Sequence, residues 1–166
     1  ILLELFDIRN HSNNELSGLS AIYIKSDAIC TGLQIINFTQ DAAEDDQRGR
    51  PTFPKEIWPL HIKNFESYKF SKLSSFDKKI LIRKMVLKGR EKLLQGKDLP
   101  QLLMKSNSAY SFRFSLEVAL IIKCGFKMCE KILNDPNIVW TSSPKLKLLE
   151  FPKLFMSALI SVILKR

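Results

Sequence analysis

The chain has 166 residues, of which 45% are apolar, and it carries a formal net charge of +9. This length and composition suffice for one domain with its own core. The three cysteines have no framework spacing, so they favour a reducing compartment over a disulfide scaffold. The six glycines are not clustered, which excludes a glycine-rich phosphate loop, and no motif supports Ser-His-Asp chemistry.

The first third of the chain has a helical pattern without strand-like alternation. Residues 1–6 are predicted to end a helix. Asn13-Asn14-Glu15 supplies capping side chains for a long helix that runs to about Arg48. Gly49 ends this helix, because glycine readily adopts the left-handed conformation of a helix terminus. Residues 51–72 contain several prolines and are predicted to form a loop with short helical turns.

The rest of the chain is also predicted to be helical. Ser74 or Ser75 caps a helix that ends at Gly96. The later predicted segments are a short connector at 99–103, a long helix at 108–133, and one or two helices at 145–164 broken near Pro152.

A row of polar side chains interrupts the long first helix. At ~100° per residue, Asn37, Asp41 and Asp45 span only ~80° of the helix surface, and Gln34 and Arg48 fall in the same sector. The flanking residues are apolar, so this helix looks buried, and an unpaired buried carboxylate is too costly to persist. Oxygen ligands at this spacing favour a hard divalent cation, Mg²⁺ above all.

Two interpretations of this row remain open. Acidic residues near a helix end are usually solvated. An ordinary solvent-exposed helix terminus would account for Glu44-Asp45-Asp46. However, the helix macrodipole disfavours negative charge at the C-terminus unless a cation is present. Arg48 and Arg50 follow at once, and guanidinium groups bind phosphate oxygens bidentately. Carboxylates, a divalent ion and arginines together describe a diphosphate site.

These residues form the pattern Gln34-x-x-Asn37-x-x-x-Asp41-x-x-Glu44-Asp45-x-x-Arg48-Gly49-Arg50-x-x-x-Pro54. The pattern resembles the second aspartate-rich motif of the squalene/phytoene synthases at every one of these positions. The preceding run at 26–33 is most similar to the hydroxysqualene (squalene) synthases of the hopanoid pathway. Outside residues 26–54 the resemblance extends weakly over nearly the whole chain.

The resemblance implies an all-α isoprenoid-synthase fold, of which this chain is the C-terminal part. In that fold two aspartate-rich helices face each other across a central cavity and hold Mg²⁺ against the diphosphate of the substrate. The implied substrate is farnesyl diphosphate or presqualene diphosphate, and the implied product is squalene or hydroxysqualene. The residues that the resemblance assigns are the metal ligands Asn37, Asp41 and Asp45, of which Asp41 and Asp45 are also catalytic, and the substrate-binding residues Gln34, Arg48 and Arg50.

Two departures from the family pattern matter. The family usually has a tyrosine two residues after the second arginine, and here that residue is Thr52. The first aspartate-rich motif of the family is absent, and no second D-x-x-x-D occurs. We therefore expect the chain to be the C-terminal part of a longer domain, with half a metal site and no activity without its N-terminal half.

The positive charge admits nucleic acid, an anionic membrane or a phosphorylated substrate as the partner. The lysines are spread out without a tight run, so we expect no nucleic-acid partner. The apolar stretch between Lys153 and Lys165 is shorter than the ~20 residues of a membrane span, which favours a buried terminal helix over an interfacial one. We expect a cytoplasmic protein with a peripheral membrane contact. The alternative function is a non-catalytic basic helical module that binds an acidic partner or a membrane surface.

Overall fold

A computed structural model describes residues 16–50, 53–59, 70–105 and 111–164 of the chain. These residues are all-α, and no strand occurs among them. The α-helices are α1 (Leu16–Gln40), α2 (Ala42–Gln47), α3 (Ser75–Gly96), α4 (Leu99–Met104), α5 (Ser111–Asn134), α6 (Ile138–Thr141) and α7 (Phe151–Ile163). Short 3₁₀ turns occur at Lys55–Ile57, Phe70–Lys72 and Leu148–Glu150.

The predicted long first helix is present as α1 and α2. They are separated by a turn at Asp41, but the backbone ladder continues through it. The Asp41 N–H donates to the Asn37 carbonyl at 3.0 Å, and the Asp45 N–H donates to the Asp41 carbonyl at 2.9 Å. The polar row therefore keeps its helical register. The predicted helix end at residues 1–6 and the predicted cap at 13–15 lie outside the described residues.

Gly49 ends α2, as the sequence predicts. Its φ is +70°, its N–H donates to the Asp46 carbonyl at 3.1 Å, and the Arg50 N–H donates to the Asp45 carbonyl at 2.8 Å. This pair of bonds is a Schellman motif, in which the left-handed residue lets the chain turn back and satisfy the last carbonyls. As a result, the Arg50 backbone is held directly beside the backbone of Asp45.

The prediction for α3 is also confirmed. The Ser74 hydroxyl accepts from the Asp77 N–H at 3.1 Å, which satisfies one of the free N–H groups of the first turn. The helix ends at Gly96, where the sequence places its end. It contributes the centre of the core, through the fully buried side chains Leu81, Ile82, Met85, Val86 and Leu93.

The predicted division near Pro152 is present, because the 3₁₀ turn Leu148–Glu150 is followed by α7, which begins at Phe151. Pro152 lies in the first turn of α7, where its missing N–H has no bond to lose. The prediction of a buried terminal helix needs correction. Only Ala158 and Val162 are buried, whereas Met156 and Ile160 are each about half exposed. The helix is therefore a surface helix with one inward stripe.

Packing divides the described residues into one main core and one satellite. The main core joins α1, α3 and α5 with the aromatic side chains in and beside the first two 3₁₀ turns. The satellite joins Ala119 of α5 to Ala158 and Val162 of α7. Among the described residues no helix has both the length and the apolar composition needed to cross a membrane.

Candidate functional site

The polar row of α1 and α2 is continuous in the folded chain. The Asn37 side-chain amide donates to the Asp41 carboxylate, with 3.2 Å between Nδ2 and Oδ2. Asp41 and Asp45 are half-buried, whereas Gln34 and Asn37 are exposed. The interaction of Asn37 with Asp41 places an amide oxygen and a carboxylate one turn apart on the same side, as the spacing predicts.

Asp41 lies in a negatively charged and partly dehydrated setting. Burial raises the pKa of its carboxyl above the ordinary value of 3.8, and the neighbouring charges of Asp45 and Glu44 raise it further. Arg48 opposes this rise only in part. The charged form of Asp41 is thus disfavoured by its surroundings, and a cation at this point would relieve that cost.

The two arginines differ in their contacts. Arg48 pairs with Glu44 at 2.5 Å, one turn earlier on α2, and both side chains are more than half exposed. Its guanidinium would have to exchange this partner in order to bind a diphosphate. Arg50 is exposed, and its position is fixed through its backbone by the Schellman motif.

A groove of about 530 Å³ runs beside the polar end of α1. Gln34 and Asn37 line one side of it, and Phe38 is at the same edge. The opposite side is formed by α5 and the loop that follows α6, with Cys124, Gly125, Met128 and Leu146. The groove is mostly apolar apart from the polar residues of α1. Asp41 and Asp45 are not among the residues that line it.

A long-range hydrogen bond closes one end of the groove. The Gln40 side-chain amide donates to the Pro144 carbonyl at 2.7 Å. It holds the loop that carries Leu146 against the end of α1. Sequence reasoning missed this contact, because its partners are 104 residues apart and no local pattern connects them.

Asp46 belongs to the acidic end of α2, and its contacts are structural. Its carboxylate accepts from the Phe70 N–H at 2.6 Å and from the Ser71 N–H at 3.0 Å. It therefore caps the 3₁₀ turn at Phe70–Lys72 and joins that turn to α2.

The side chains of the polar row offer the type of ligand atom that a hard cation prefers, but too few of them to complete its coordination. Asn37, Asp41 and Asp45 offer oxygen atoms, which Mg²⁺ prefers. Within the described ranges, however, no three Asp, Glu, His or Cys side chains converge as a metal-binding group. The described side chains alone therefore do not complete a metal site. Thr52, the departure from the family pattern, lies outside the described residues.

Comparison with known proteins returned no relative. No family model, curated protein or solved structure matches the chain.

Proposed function

We propose that this chain provides one wall of a Mg²⁺-dependent prenyl diphosphate site, as in the squalene/phytoene synthases. The observation that carries the proposal is the continuous row of Asn37, Asp41 and Asp45, which ends at the turn that holds Arg50. Oxygen donors and guanidinium groups between Asn37 and Arg50 match the two halves of a metal diphosphate. The groove beside Asn37 adds an apolar surface for a prenyl chain.

Each residue of the wall has a distinct part in this proposal. Asn37, Asp41 and Asp45 would hold Mg²⁺, which would neutralise the diphosphate and favour its departure as a leaving group. Arg50 would bind the diphosphate oxygens, and Arg48 would join it after leaving Glu44. Gln34 would orient the substrate at the polar edge of the groove, with farnesyl or presqualene diphosphate as the substrate.

The proposal requires a second wall of ligands. The described residues supply two carboxylates and an amide on a single helical row, and hard cations take about six or more oxygen ligands. We propose that an N-terminal half of the same domain supplies the facing carboxylates. The chain without that half would then be inactive.

The test is diphosphate release from farnesyl diphosphate by the complete polypeptide that contains this chain, with and without Mg²⁺. The Asp41→Asn and Asp45→Asn variants should each lose about 100-fold or more in rate, because a lost ligand weakens both metal binding and the charge stabilisation of the leaving group. The matched control is Asp27→Asn, which removes an exposed carboxylate on the same helix and should retain normal turnover.

Circular dichroism of the same variants separates loss of function from loss of fold. Near-normal turnover of both Asp41→Asn and Asp45→Asn would refute the enzymatic proposal. In that case the alternative, a non-catalytic basic helical module, would account better for the row, with its carboxylates in a structural role.

A further inference from the structure

The second surface of interest is formed by α7 and the turn that precedes it. The 3₁₀ turn before α7 presents Leu148 and Leu149, whose exposed fractions are 83% and 90%. A leucine pair this exposed costs free energy in water, because its apolar surface is hydrated instead of buried. Large contiguous apolar patches of this kind mark interaction sites.

The outer side of α7 continues this apolar surface. Met156, Ile160 and Ile163 recur at helical spacing on one side of the helix, and each is about half exposed. The opposite side, with Ala158 and Val162, packs on α5. An ordinary surface helix has polar residues on its outer side, and the exposed apolar residues of α7 depart from this pattern.

The exposed leucines are held in place by a structured turn. The Glu150 carboxylate accepts from the Lys131 ammonium at 2.6 Å and from the Lys147 N–H at 2.6 Å. The Lys131 ammonium also donates to the Lys145 carbonyl at 2.8 Å. These contacts fix the turn to α5, so the leucines protrude from a rigid support.

Lysines surround this apolar surface. Lys123 and Lys153 line a groove of about 520 Å³ together with Met156, Ile160 and Leu164. The same two lysines, Lys127 and Leu149 are among the residues that line an adjoining groove of about 500 Å³. A further two lysines, Lys145 and Lys147, directly precede the leucines.

The acidic residues of this region offset only part of that charge. Glu130 pairs with Lys127 at 3.0 Å, and Glu150 pairs with Lys131 at 2.6 Å. Among the described residues no carboxylate lies within ion-pair distance of Lys123 or Lys153. Lys123 and Lys153 therefore add uncompensated positive charge to the edge of the apolar surface.

We propose that the Leu148–Leu149 turn and the outer side of α7 form a docking surface for an anionic lipid membrane. Charge complementarity selects this occupant: acyl chains receive the protruding side chains, while lysines meet anionic headgroups. A bilayer is soft, so it can accept convex side chains without a shaped pocket. With 13 residues, α7 would lie in the interface and not cross it. The proposal does not depend on the metal site.

The experiment is co-sedimentation of the full chain with phosphatidylcholine vesicles, with or without phosphatidylserine, in EDTA and without prenyl diphosphates. We expect binding to the anionic vesicles only, and weaker binding at high salt. The double variant Leu148→Gln/Leu149→Gln should bind at least about tenfold more weakly, because the polar side chains no longer partition into the acyl region. Both leucines are exposed, so the variant should keep its helicity.

Two controls match the apolar and the charged parts of the surface. Phe76→Gln removes an aromatic side chain that is 71% exposed on the first turn of α3, and it should leave binding unchanged. Lys123→Gln/Lys153→Gln should weaken binding and its salt dependence, whereas Lys79→Gln/Lys84→Gln, on exposed positions of α3, should have less effect.

Three results would overturn this proposal. One is an absence of vesicle binding, and another is equal loss of binding in the Phe76→Gln control. The third is a dimer in sedimentation velocity that Leu148→Gln/Leu149→Gln dissociates while vesicles bind neither protein, which would assign the surface to a second copy of the chain. Because Mg²⁺ and substrate are absent from the assay, failure of the enzymatic proposal leaves these results unchanged.

Discussion

The three consecutive acidic residues of α2 have three different surroundings. Glu44 pairs with Arg48 at the exposed surface, Asp45 belongs to the polar row, and Asp46 accepts two backbone N–H bonds from another segment. The three acidic side chains therefore have different roles. Glu44 forms a surface ion pair, Asp45 is a candidate metal ligand, and Asp46 is a structural cap. These roles depend on what faces each side chain, which spacing alone does not specify.

At the residue scale, Asp46→Ala should lower the free energy of unfolding by about 1–3 kcal/mol, because the Phe70 and Ser71 N–H groups lose their acceptor. Urea denaturation followed by tryptophan fluorescence measures this change. Glu44→Gln removes only an exposed ion pair of α2 and should change stability by less than about 1 kcal/mol. Equal effects of the two substitutions would contradict the structural role of Asp46.

The second prediction at this scale concerns pH. The hydrogen bond from Lys131 and the backbone N–H of Lys147 lower the pKa of Glu150 below its ordinary value of 4.5. A carboxyl with a lowered folded-state pKa stabilises the fold above its unfolded pKa, and this stabilisation is lost as pH falls through the folded pKa. Glu150→Gln should therefore be less stable than the unmodified chain at neutral pH, and the gap should close below pH 4.5.

Thermal unfolding midpoints of both proteins across this pH range test the prediction. Glu130→Gln is the control, since its partner Lys127 is only three residues away on the same exposed face of α5. A gap between Glu150→Gln and the unmodified chain that stays constant with pH would show that the Glu150 charge does not hold the turn.

At the element scale, α1 and α3 cross at closely packed glycines. A Cβ atom added at Gly32 would lie 2.9 Å from the Gly89 carbonyl oxygen and 3.0 Å from the Leu93 amide nitrogen. Both neighbours are backbone atoms, so they cannot rotate away as a side chain can. This close approach sets the position of α1, and with it the direction of the polar row.

We expect Gly32→Ala to destabilise the fold by about 1–3 kcal/mol, because the two helices must separate to admit the methyl group. Intrinsic propensity acts in the opposite direction, since alanine favours a helix over glycine by about 1 kcal/mol. A net loss of stability in chemical denaturation would therefore be caused by the helix contact and not by helix propensity. Thr31→Ala, at the exposed neighbouring position, should change stability by no more than about 0.5 kcal/mol. A stabilised Gly32→Ala variant would exclude the close crossing.

At the scale of the whole molecule, an aromatic cluster connects segments that are far apart in sequence. The Phe70 ring stacks on Trp58 with 4.8 Å between centroids, and it contacts Phe53 at 4.7 Å and Trp140 at 5.8 Å. Phe70 itself is 2% exposed. The cluster joins residues 53–58 and the 3₁₀ turn at Phe70–Lys72 to α6, so these described parts of the segment after α2 belong to the main core.

Phe70→Ala should lower the free energy of unfolding by about 3–5 kcal/mol, the cost of a large cavity in a core. It should also change the fluorescence of the folded state, because both tryptophans of the chain contact this ring. Phe76→Ala, at an exposed phenylalanine, should stay within about 0.5 kcal/mol of the unmodified chain. A small effect of Phe70→Ala on the free energy of unfolding would show that the aromatic cluster is not part of the core.

The local features of the site could be predicted from the sequence. The register of Asn37 and Asp41, the end of α2 at Gly49 and the cap at Ser74 all depend on residues within a few positions of one another. The groove wall at Leu146 could not be predicted, because it is placed by a bond from Gln40 to a loop more than a hundred residues later. The same limit explains the outer face of α7, since its apolar sequence fits a buried helix as well as an exposed one.

Helical periodicity, caps and turn residues therefore determined the all-α character, most helix ends and the row of oxygen donors from the sequence alone, since each is set by hydrogen bonds within one or two turns. Only the tertiary structure decided which of these side chains are half-buried, which groove they border and which apolar face is left outside. Those properties arise from packing between helices, whose partners are distant in the chain and are chosen by shape and burial instead of local spacing.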